Sequence, residues 1–312
     1  MMTDRQKNRL EKKFGPNVRF GEPMSRHTSW RVGGPAEAFV TPETAGDLAD
    51  LVVWAKENAI DRKVIGNGTN LLVKDGGIAG IVIGRANGLK GIREADTIVY
   101  ADAGVGLQKL CAFAIRRGLA GMNFAIGIPG TVGGAIIMNA GTPDGCVGDI
   151  LESADILYPN GKSETVERKD LDFQYRRLTF RNCAQKSDGT GNRPVILGGR
   201  FRLKRGDAET LKSEAESVMK NRKAKQPLNW PNAGSVFKNP NCKMSAGQLI
   251  DMAGLKRLTS GGAQVSEKHA NFIVNRNGAS ASDILGLMET VRETVLKKYG
   301  IDLEPEVEIV GK

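Results

Sequence analysis

Short apolar runs alternate along this chain with stretches in which apolar residues return every three or four positions, the signatures of strand and amphipathic helix. Ala38-Phe39-Val40 reads as a strand, and residues 44–58 set Leu48, Leu51, Val52 and Ala55 on one helical face. Lys63-Val64-Ile65 then reads as a buried strand, followed by Leu71-Leu72-Val73 and Gly80-Ile81-Val82-Ile83. Together they predict a small α/β lobe over about residues 35–95, behind a charged arm at 1–34.

A second lobe, over 96–206, opens with the strand Thr97-Ile98-Val99-Tyr100 and a helix showing Leu107, Leu110, Cys111 and Ala114 to one side. Ile156-Leu157-Tyr158, Ser163-Glu164-Thr165-Val166 and Val195-Ile196-Leu197 read as further strands, joined by turns such as Pro159-Asn160-Gly161. Residues 185–193 read as an exposed loop.

Asp207 has the position of an N-cap for a helix running to about Lys225, with Leu211, Ala215, Val218 and Met219 as its apolar stripe. The composition turns basic here, which predicts a new domain at 207–312. Within it Ser245-Ala246-Gly247-Gln248 has capping-box spacing, and residues 282–299 align Ile284, Leu285, Met288, Val291 and Val295 before a C′ glycine, Gly300. The chain closes on an alternating strand at residues 306–310.

These periods fail at residues 127–141, which read Gly-Ile-Pro-Gly-Thr-Val-Gly-Gly-Ala-Ile-Ile-Met-Asn-Ala-Gly. Glycine loses the most conformational entropy on ordering, so such density belongs where positive φ or close backbone approach is required. Runs of unshielded N–H groups bind anions, which makes this segment a candidate phosphate loop. A packed glycine-rich turn between buried strands is the structural alternative. The uncharged window 118–143 is long enough to cross a bilayer, but Pro129, Asn123, Asn139 and its glycines break the apolar continuity that insertion needs.

With 312 residues the chain exceeds one comfortable core, so more than one domain is expected. Its 45 basic and 35 acidic residues leave a net charge of +10, clustered at 5–13, 176–181 and 200–225, which suits an anionic partner. No zinc-finger spacing or aromatic RNA-binding signature accompanies that charge. The four cysteines form no Cys-x-x-Cys pair and only His27 and His269 could add imidazole, so no metal site is expected. The first residues run straight into charge, and a reduced, cytoplasmic protein is the expectation.

A second glycine motif, Gly66-Asn67-Gly68-Thr69-Asn70-Leu71, follows a strand but has leucine where a dinucleotide fingerprint needs its third glycine. Gly161-Lys162-Ser163 lacks the first glycine of a P-loop, since Ile156 stands there. Two separate glycine loops therefore remain, which could embrace the pyrophosphate of one dinucleotide or be two unrelated turns.

Five segments, in this order, carry a family resemblance: Thr28-Ser29-Trp30-Arg31-Val32-Gly33-Gly34-Pro35, the motif at 66–72, the stretch 127–141, Pro231-Asn232-Ala233-Gly234-Ser235-Val236-Phe237-Lys238-Asn239-Pro240, and Gly261-Gly262-Ala263 leading to Leu303-Glu304-Pro305-Glu306-Val307. In this the chain resembles the MurB family of UDP-N-acetylenolpyruvoylglucosamine reductases. Only about seventy residues separate Ser235 from Glu306, which matches the family's compact, type II-like form and leaves little room for a substrate-capping tyrosine loop.

The resemblance implies an α+β fold, with a two-lobed FAD-binding domain of the vanillyl-alcohol-oxidase (PCMH) type at 35–206 and a C-terminal α/β substrate-binding domain. It implies that NADPH reduces FAD, and that reduced FAD passes hydride to UDP-N-acetylglucosamine enolpyruvate, giving UDP-N-acetylmuramate for peptidoglycan. FAD contacts would fall on Gly66, Asn67, Gly68, Thr69, Asn70, Leu71, Gly127, Gly130, Thr131, Gly133, Gly134, Asn139, Ala140 and Gly141.

Hydride arriving at the terminal carbon of the enol ether leaves negative charge on the adjacent carbon, which needs a cation and a proton. Similarity to the family assigns the cation to Arg176, the proton donor to Ser235 and the acidic partner to Glu306. Lys238 and Arg222 are candidate helpers for the weakly acidic serine, and Tyr175 a further substrate contact. Glu306 would act as a neutral acid if burial raises its pKa. The family commonly shows Tyr-Arg-x-Ser where this chain has Tyr175-Arg176-Arg177-Leu178-Thr179. Arg177 is therefore a competing assignment and Thr179 a displaced hydroxyl, with Arg176 first because it directly follows Tyr175.

The expected partners are the enolpyruvyl sugar nucleotide and NADPH, with no nucleic acid, no membrane insertion and a monomeric chain. Two other readings stay open: another FAD-dependent oxidase of the same fold, and a non-catalytic basic protein that binds nucleotides or nucleic acid.

Overall fold

The computed structural model describes residues 1–84, 86–181 and 193–312. The chain divides into two compact units interleaved in sequence: Met1–Phe20, Glu37–Asn67 and Ala79–Lys220 form one, and Gly21–Ala36, Gly68–Ile78 and Asn221–Lys312 the other. The expected segmentation at 34 and 206 follows chain order, whereas residues 21–36 and 68–78 belong with the C-terminal unit, which resumes at Asn221. Helices and largely antiparallel strands occur together, in runs rather than in strict alternation, as the expected α+β class requires.

The first unit holds two sheets. One has the strand order Val18–Pro23, Pro35–Val40, Ile78–Ile83, Arg62–Val64, with the last two parallel. Helix Ala45–Glu57 covers it and buries Leu48, Leu51, Val52 and Ala55, as the spacing predicts, together with Trp54. Thr44 and Asp47 form its capping box. Residues of the expected charged arm form a helix of their own, Asp4–Phe14, capped by Thr3 and Gln6 and anchored by fully buried Leu10.

The other sheet is antiparallel, in the order Ser163–Glu167, Leu151–Leu157, Val195–Arg202, Ile98–Asp102, Ile92–Ala95. Helix Leu107–Arg116 buries the four residues expected of it. A short helix, Val132–Ile137, lies within the stretch expected to be loop. It packs against the sheet where Gly199 leaves room, since a Cβ there would lie 2.8 Å from Ile136 Cδ1. Asp207 caps helix Ala208–Lys225 as expected, accepting from the Glu209 and Thr210 N–H groups, both at 3.1 Å. The loop expected at 185–193 lies, but for Arg193, outside the described residues.

In the second unit, strand Leu71–Val73 pairs in parallel with Glu308–Val310, so the final strand is shorter than expected and begins beyond Glu306. A three-stranded antiparallel sheet, Thr259–Ser260, Ala263–Val265 and Ile273–Asn275, packs with helices Ala246–Met252 and Ala281–Tyr299. The longer helix starts one residue before the expected Ser282, because Ser280 and Asp283 form its capping box; Gly300 ends it at φ 69°. Fully buried Trp30 ties into this core by donating its indole N–H to Ile273 O at 2.7 Å.

Candidate active site

Glycine supplies two different things in the segment 127–141. Gly127 and Gly130 have φ of 76° and 129°, values other residues avoid. Gly133 instead supplies space, since a Cβ there would lie 2.9 Å from that of Ala103. Thr131 caps the short helix by accepting from Gly134 N–H at 3.3 Å.

Several N–H groups of the segment are already spent. Gly127 donates to Gln108 Oε1 at 2.9 Å, and Gly133 to Ala103 O at 2.9 Å. Ala140 donates to Ala135 O at 2.8 Å. The N–H groups of Gly130 and Thr131 donate to no group among the described residues. Main-chain donors without a partner are rare, and two in succession suit an anion. Gln108 braces this turn from the next helix, donating through Nε2 to Ala125 O (2.9 Å) and Ile128 O (2.7 Å).

The first glycine motif meets the second within the first unit. A Cβ on Gly66 would lie 2.5 Å from Thr131 Oγ1, so only glycine lets the segments approach this closely. Exposed Asn67 follows. Gly68, in the second unit, has φ 60°, and a Cβ there would lie 2.1 Å from His27 O. Ser29 fixes it, its N–H and hydroxyl both donating to Gly68 O at 3.1 and 3.2 Å. Half-buried Thr69 leads to Asn70, whose Nδ2 donates to Glu306 O at 3.2 Å and whose carbonyl accepts from Glu308 N–H at 3.0 Å. Buried Leu71 pairs with Glu308.

Arg176 occupies the two-residue turn between strands Leu171–Gln174 and Arg177–Phe180. Its φ is 57°, an uncommon conformation for so large a side chain. Its guanidinium lies 5.0 Å from the ring centre of exposed Tyr175 and donates through Nη1 to Gly141 O at 3.0 Å. Asn139, at φ 42°, locks the same hairpin to the glycine segment: Nδ2 donates to Gln174 O (3.0 Å), and Oδ1 accepts from Gly148 N–H (2.9 Å). Arg177 is an exposed strand residue paired with Gln174, and the Thr179 hydroxyl donates to Asp172 Oδ2 at 3.1 Å. Of the two arginines, it is Arg176 that reaches the glycine segment.

The second unit brings the main chain at Ser235 and Glu306 together. Glu306 donates its N–H to Val236 O at 2.7 Å, and Phe237 forms a bridge with Pro305. Ser235 follows Gly234, which has φ 79° and donates to Asn232 Oδ1 at 2.9 Å. Lys238 donates its N–H to Glu304 O at 2.8 Å and forms an ion pair with the Glu304 carboxylate. Arg222 Nε and Gln226 Oε1 are buried, and neither has a hydrogen-bond partner among the described residues. Burial pushes the Arg222 pKa below its ordinary value.

The structure thus joins Gly66 to Thr131 and Arg176 to Gly141 in one unit, and Ser235, Glu306 and Asn70 in the other. Gln108 and Gln226 escape a reading of the sequence. Gln108 lies beside the apolar face that betrays its helix, and no spacing marks it. Gln226 stands four residues after Arg222 and just before Pro227, but only its burial shows the unspent acceptor.

Residues 36–167 match the FAD binding domain family, and residues 226–310 match the UDP-N-acetylenolpyruvoylglucosamine reductase C-terminal domain. The chain is 46% identical to UDP-N-acetylenolpyruvoylglucosamine reductase of Desulfosudis oleivorans over 304 residues, covering 96% of each chain. It is 43% identical to the protein of that name from Heliobacterium modesticaldum, over 93% of this chain and 90% of the relative. Among solved structures it resembles the reductase (MurB) of Thermus caldophilus, with 34% identity and a TM-score of 0.76 over 94% of this chain and 98% of that one. Similarity of this degree along nearly the whole length means that the chain belongs to the UDP-N-acetylenolpyruvoylglucosamine reductase family, and so to the FAD-dependent oxidoreductases.

Proposed function

We propose that this chain reduces the enolpyruvyl ether of UDP-N-acetylglucosamine to UDP-N-acetylmuramate, with NADPH as reductant, in peptidoglycan precursor synthesis. The observation that carries the reading is the 2.7 Å main-chain hydrogen bond from Glu306 N–H to Val236 O, which sets Glu306 beside the residue that follows Ser235 in a member of this family.

The residues present suit FAD. Two unspent main-chain donors at Gly130 and Thr131, in a turn that Gly66 and Gly133 let pack closely on its neighbours, fit a pyrophosphate. Residues 66–71 and 127–141 would hold it. When bound, FAD supplies the hydride that reaches the substrate.

The chain's own side chains manage charge and proton. Ser235 Oγ gives its proton to the substrate carbon beside the carboxylate, where negative charge gathers, and Arg176 stabilises that charge. Groups aimed at a developing anion typically contribute a few kcal/mol of barrier lowering, and a positioned acid about 10²- to 10⁴-fold in rate. A serine hydroxyl is a weak acid and needs a cation nearby. Arg222 is the better supported helper, because its Nε is uncommitted whereas Lys238 shares its charge with Glu304. Glu306 is the acidic partner of the substrate carboxylate, and Tyr175 a further substrate contact.

In this reading residues 35–206 hold FAD and residues 207–312 bind the sugar nucleotide, behind the segment 1–34. No helix among the described residues is long and apolar enough to cross a membrane. The substrates are nucleotide anions that do not cross membranes unaided, which supports a cytoplasmic setting. One chain carries every residue invoked, so the reading calls for no second copy.

Stopped-flow absorbance of the flavin-loaded protein tests the proposal. NADPH should bleach the flavin, and the enolpyruvyl sugar nucleotide should restore its colour without oxygen. Ser235→Ala should retain the first phase and slow the second by about 10²-fold or more. Reoxidation by oxygen alone, indifferent to the sugar nucleotide, would point to an oxidase instead.

A further inference from the structure

The Ser235 segment has residues 304–306 along one edge and a single residue, Asn271, along the other. Asn271 is 3% exposed, and its carboxamide lies across Phe237 as another strand would. Its Oδ1 accepts from Phe237 N–H at 2.9 Å, and its Nδ2 donates to Phe237 O at 2.8 Å. The Asn271 carbonyl accepts from Val236 N–H at 2.9 Å, and its N–H donates to His269 Nδ1 at 3.2 Å.

Three of these four bonds act on the two residues that follow Ser235. The main chain of Val236 is held from both sides, its N–H by Asn271 and its carbonyl by Glu306. On the other flank, the main chain turns through Gly234 at φ 79°, held by its N–H to Asn232 Oδ1 at 2.9 Å. Ser235 is therefore anchored on both flanks, and on the Val236 side the anchor is Asn271 together with Glu306. A primary carboxamide suits the task because it donates and accepts at once; a carboxylate would lose the bond to Phe237 O.

We propose that Asn271 is a positioning residue of the reductase, fixing residues 236 and 237 against Glu306 so that the Ser235 hydroxyl is held at the carbon it protonates. The inference rests on the assignment of Ser235 as proton donor. Misplacement of a reacting group by about 1 Å can cost on the order of 10²-fold in rate, so loss of this brace reaches the chemistry without removing any reacting atom.

The test uses flavin-loaded Asn271→Ala and Asn271→Ser beside Ser235→Ala and the double variant Asn271→Ala/Ser235→Ala, with both half-reactions followed separately. Flavin reduction by NADPH should stay within about twofold of the parent in the Asn271 variants, and reoxidation by the sugar nucleotide should slow by about 30- to 100-fold. The double variant should be no slower than Ser235→Ala alone, because both substitutions disable one proton transfer. Equal slowing of both half-reactions, an unchanged second half-reaction, a multiplicative loss in the double variant, or failure of both Asn271 variants to retain flavin would each overturn the proposal. Parent-like reoxidation in Ser235→Ala would bring down the proton-donor assignment and this inference with it, an outcome that the single Ser235 variant identifies by itself.

Discussion

Gly66 and Thr131 stand so close that a Cβ on the glycine would lie 2.5 Å from the threonine Oγ1 and 3.3 Å from its Cγ2. The same Oγ1 caps the Gly134 N–H at the start of the short helix. Gly66→Ala must therefore push Thr131 off its cap or part the two glycine segments. A lost cap costs about 1 kcal/mol. We expect FAD affinity to fall by about tenfold, equivalent to about 1.4 kcal/mol, measured by quenching of flavin fluorescence as apoprotein is titrated. Unchanged affinity would separate this contact from cofactor binding.

Gln108 should matter to the cofactor without touching it. Gln108→Ala removes three hydrogen bonds to the turn at residues 125–128, each worth about 1 kcal/mol at most at such an exposed site. The expected result is weaker FAD retention with only a small fall in the Tm of the apoprotein. Gln108→Glu should be worse than alanine, because a carboxylate would face the carbonyls of Ala125 and Ile128.

Arg176 offers a clean separation of fold from function. Glycine is at ease at φ 57°, so Arg176→Gly relieves backbone strain while removing the guanidinium. We expect a Tm close to that of the parent and substrate-dependent flavin reoxidation slowed by about 10²- to 10³-fold. Lysine should not restore the rate, since it lacks the planar fork. Arg177→Ala should stay within about twofold of the parent, and a larger loss there would transfer the role to the neighbour.

Acid should weaken the second unit through His269. Burial, then repulsion from Lys256, pushes its pKa below the ordinary 6.5, and its Nδ1 accepts from Asn271 N–H only while unprotonated. Below pH 6.5 the unfolded chain takes up a proton that the folded one refuses, so the stability His269 confers is complete above 6.5 and declines as pH falls toward the folded pKa. The Tm should drop as pH falls below 6.5, and drop less in His269→Asn, whose carbonyl can replace Nδ1. Parallel curves for the two proteins would exclude His269 as the source.

Amphipathic spacing was a sound guide where a helix buries a full stripe, as Ala45–Glu57 and Leu107–Arg116 do. Helix Asp4–Phe14 is obscured because its only buried side chain is Leu10, amid charge. Helix Val132–Ile137 is obscured for the opposite reason: glycines at 133 and 134 argue against helix by propensity, and the contacts that demand Gly133 and accommodate Ile136, Ala103 and Gly199, are tertiary. The glycine motifs could be named from the sequence, and the family resemblance offered Arg176, Ser235 and Glu306 as candidates. The proximity of Ser235 to Glu306, and the braces Gln108 and Asn271, could not, because they depend on main-chain pairing between distant segments.

The interleaving of the two units sets a limit on how the chain can be cut. A fragment beginning at Asn221 would leave behind Trp30, whose indole caps Ile273 O, and strand Leu71–Val73, the parallel neighbour of Glu308–Val310. It would also lose Asn70, which holds the carbonyl of Glu306. The C-terminal region is therefore not a portable module: transplanted or expressed alone it would expose the seam left by its missing strand. Recombination between homologous genes within this region would have to carry residues 21–36 and 68–78 along with it.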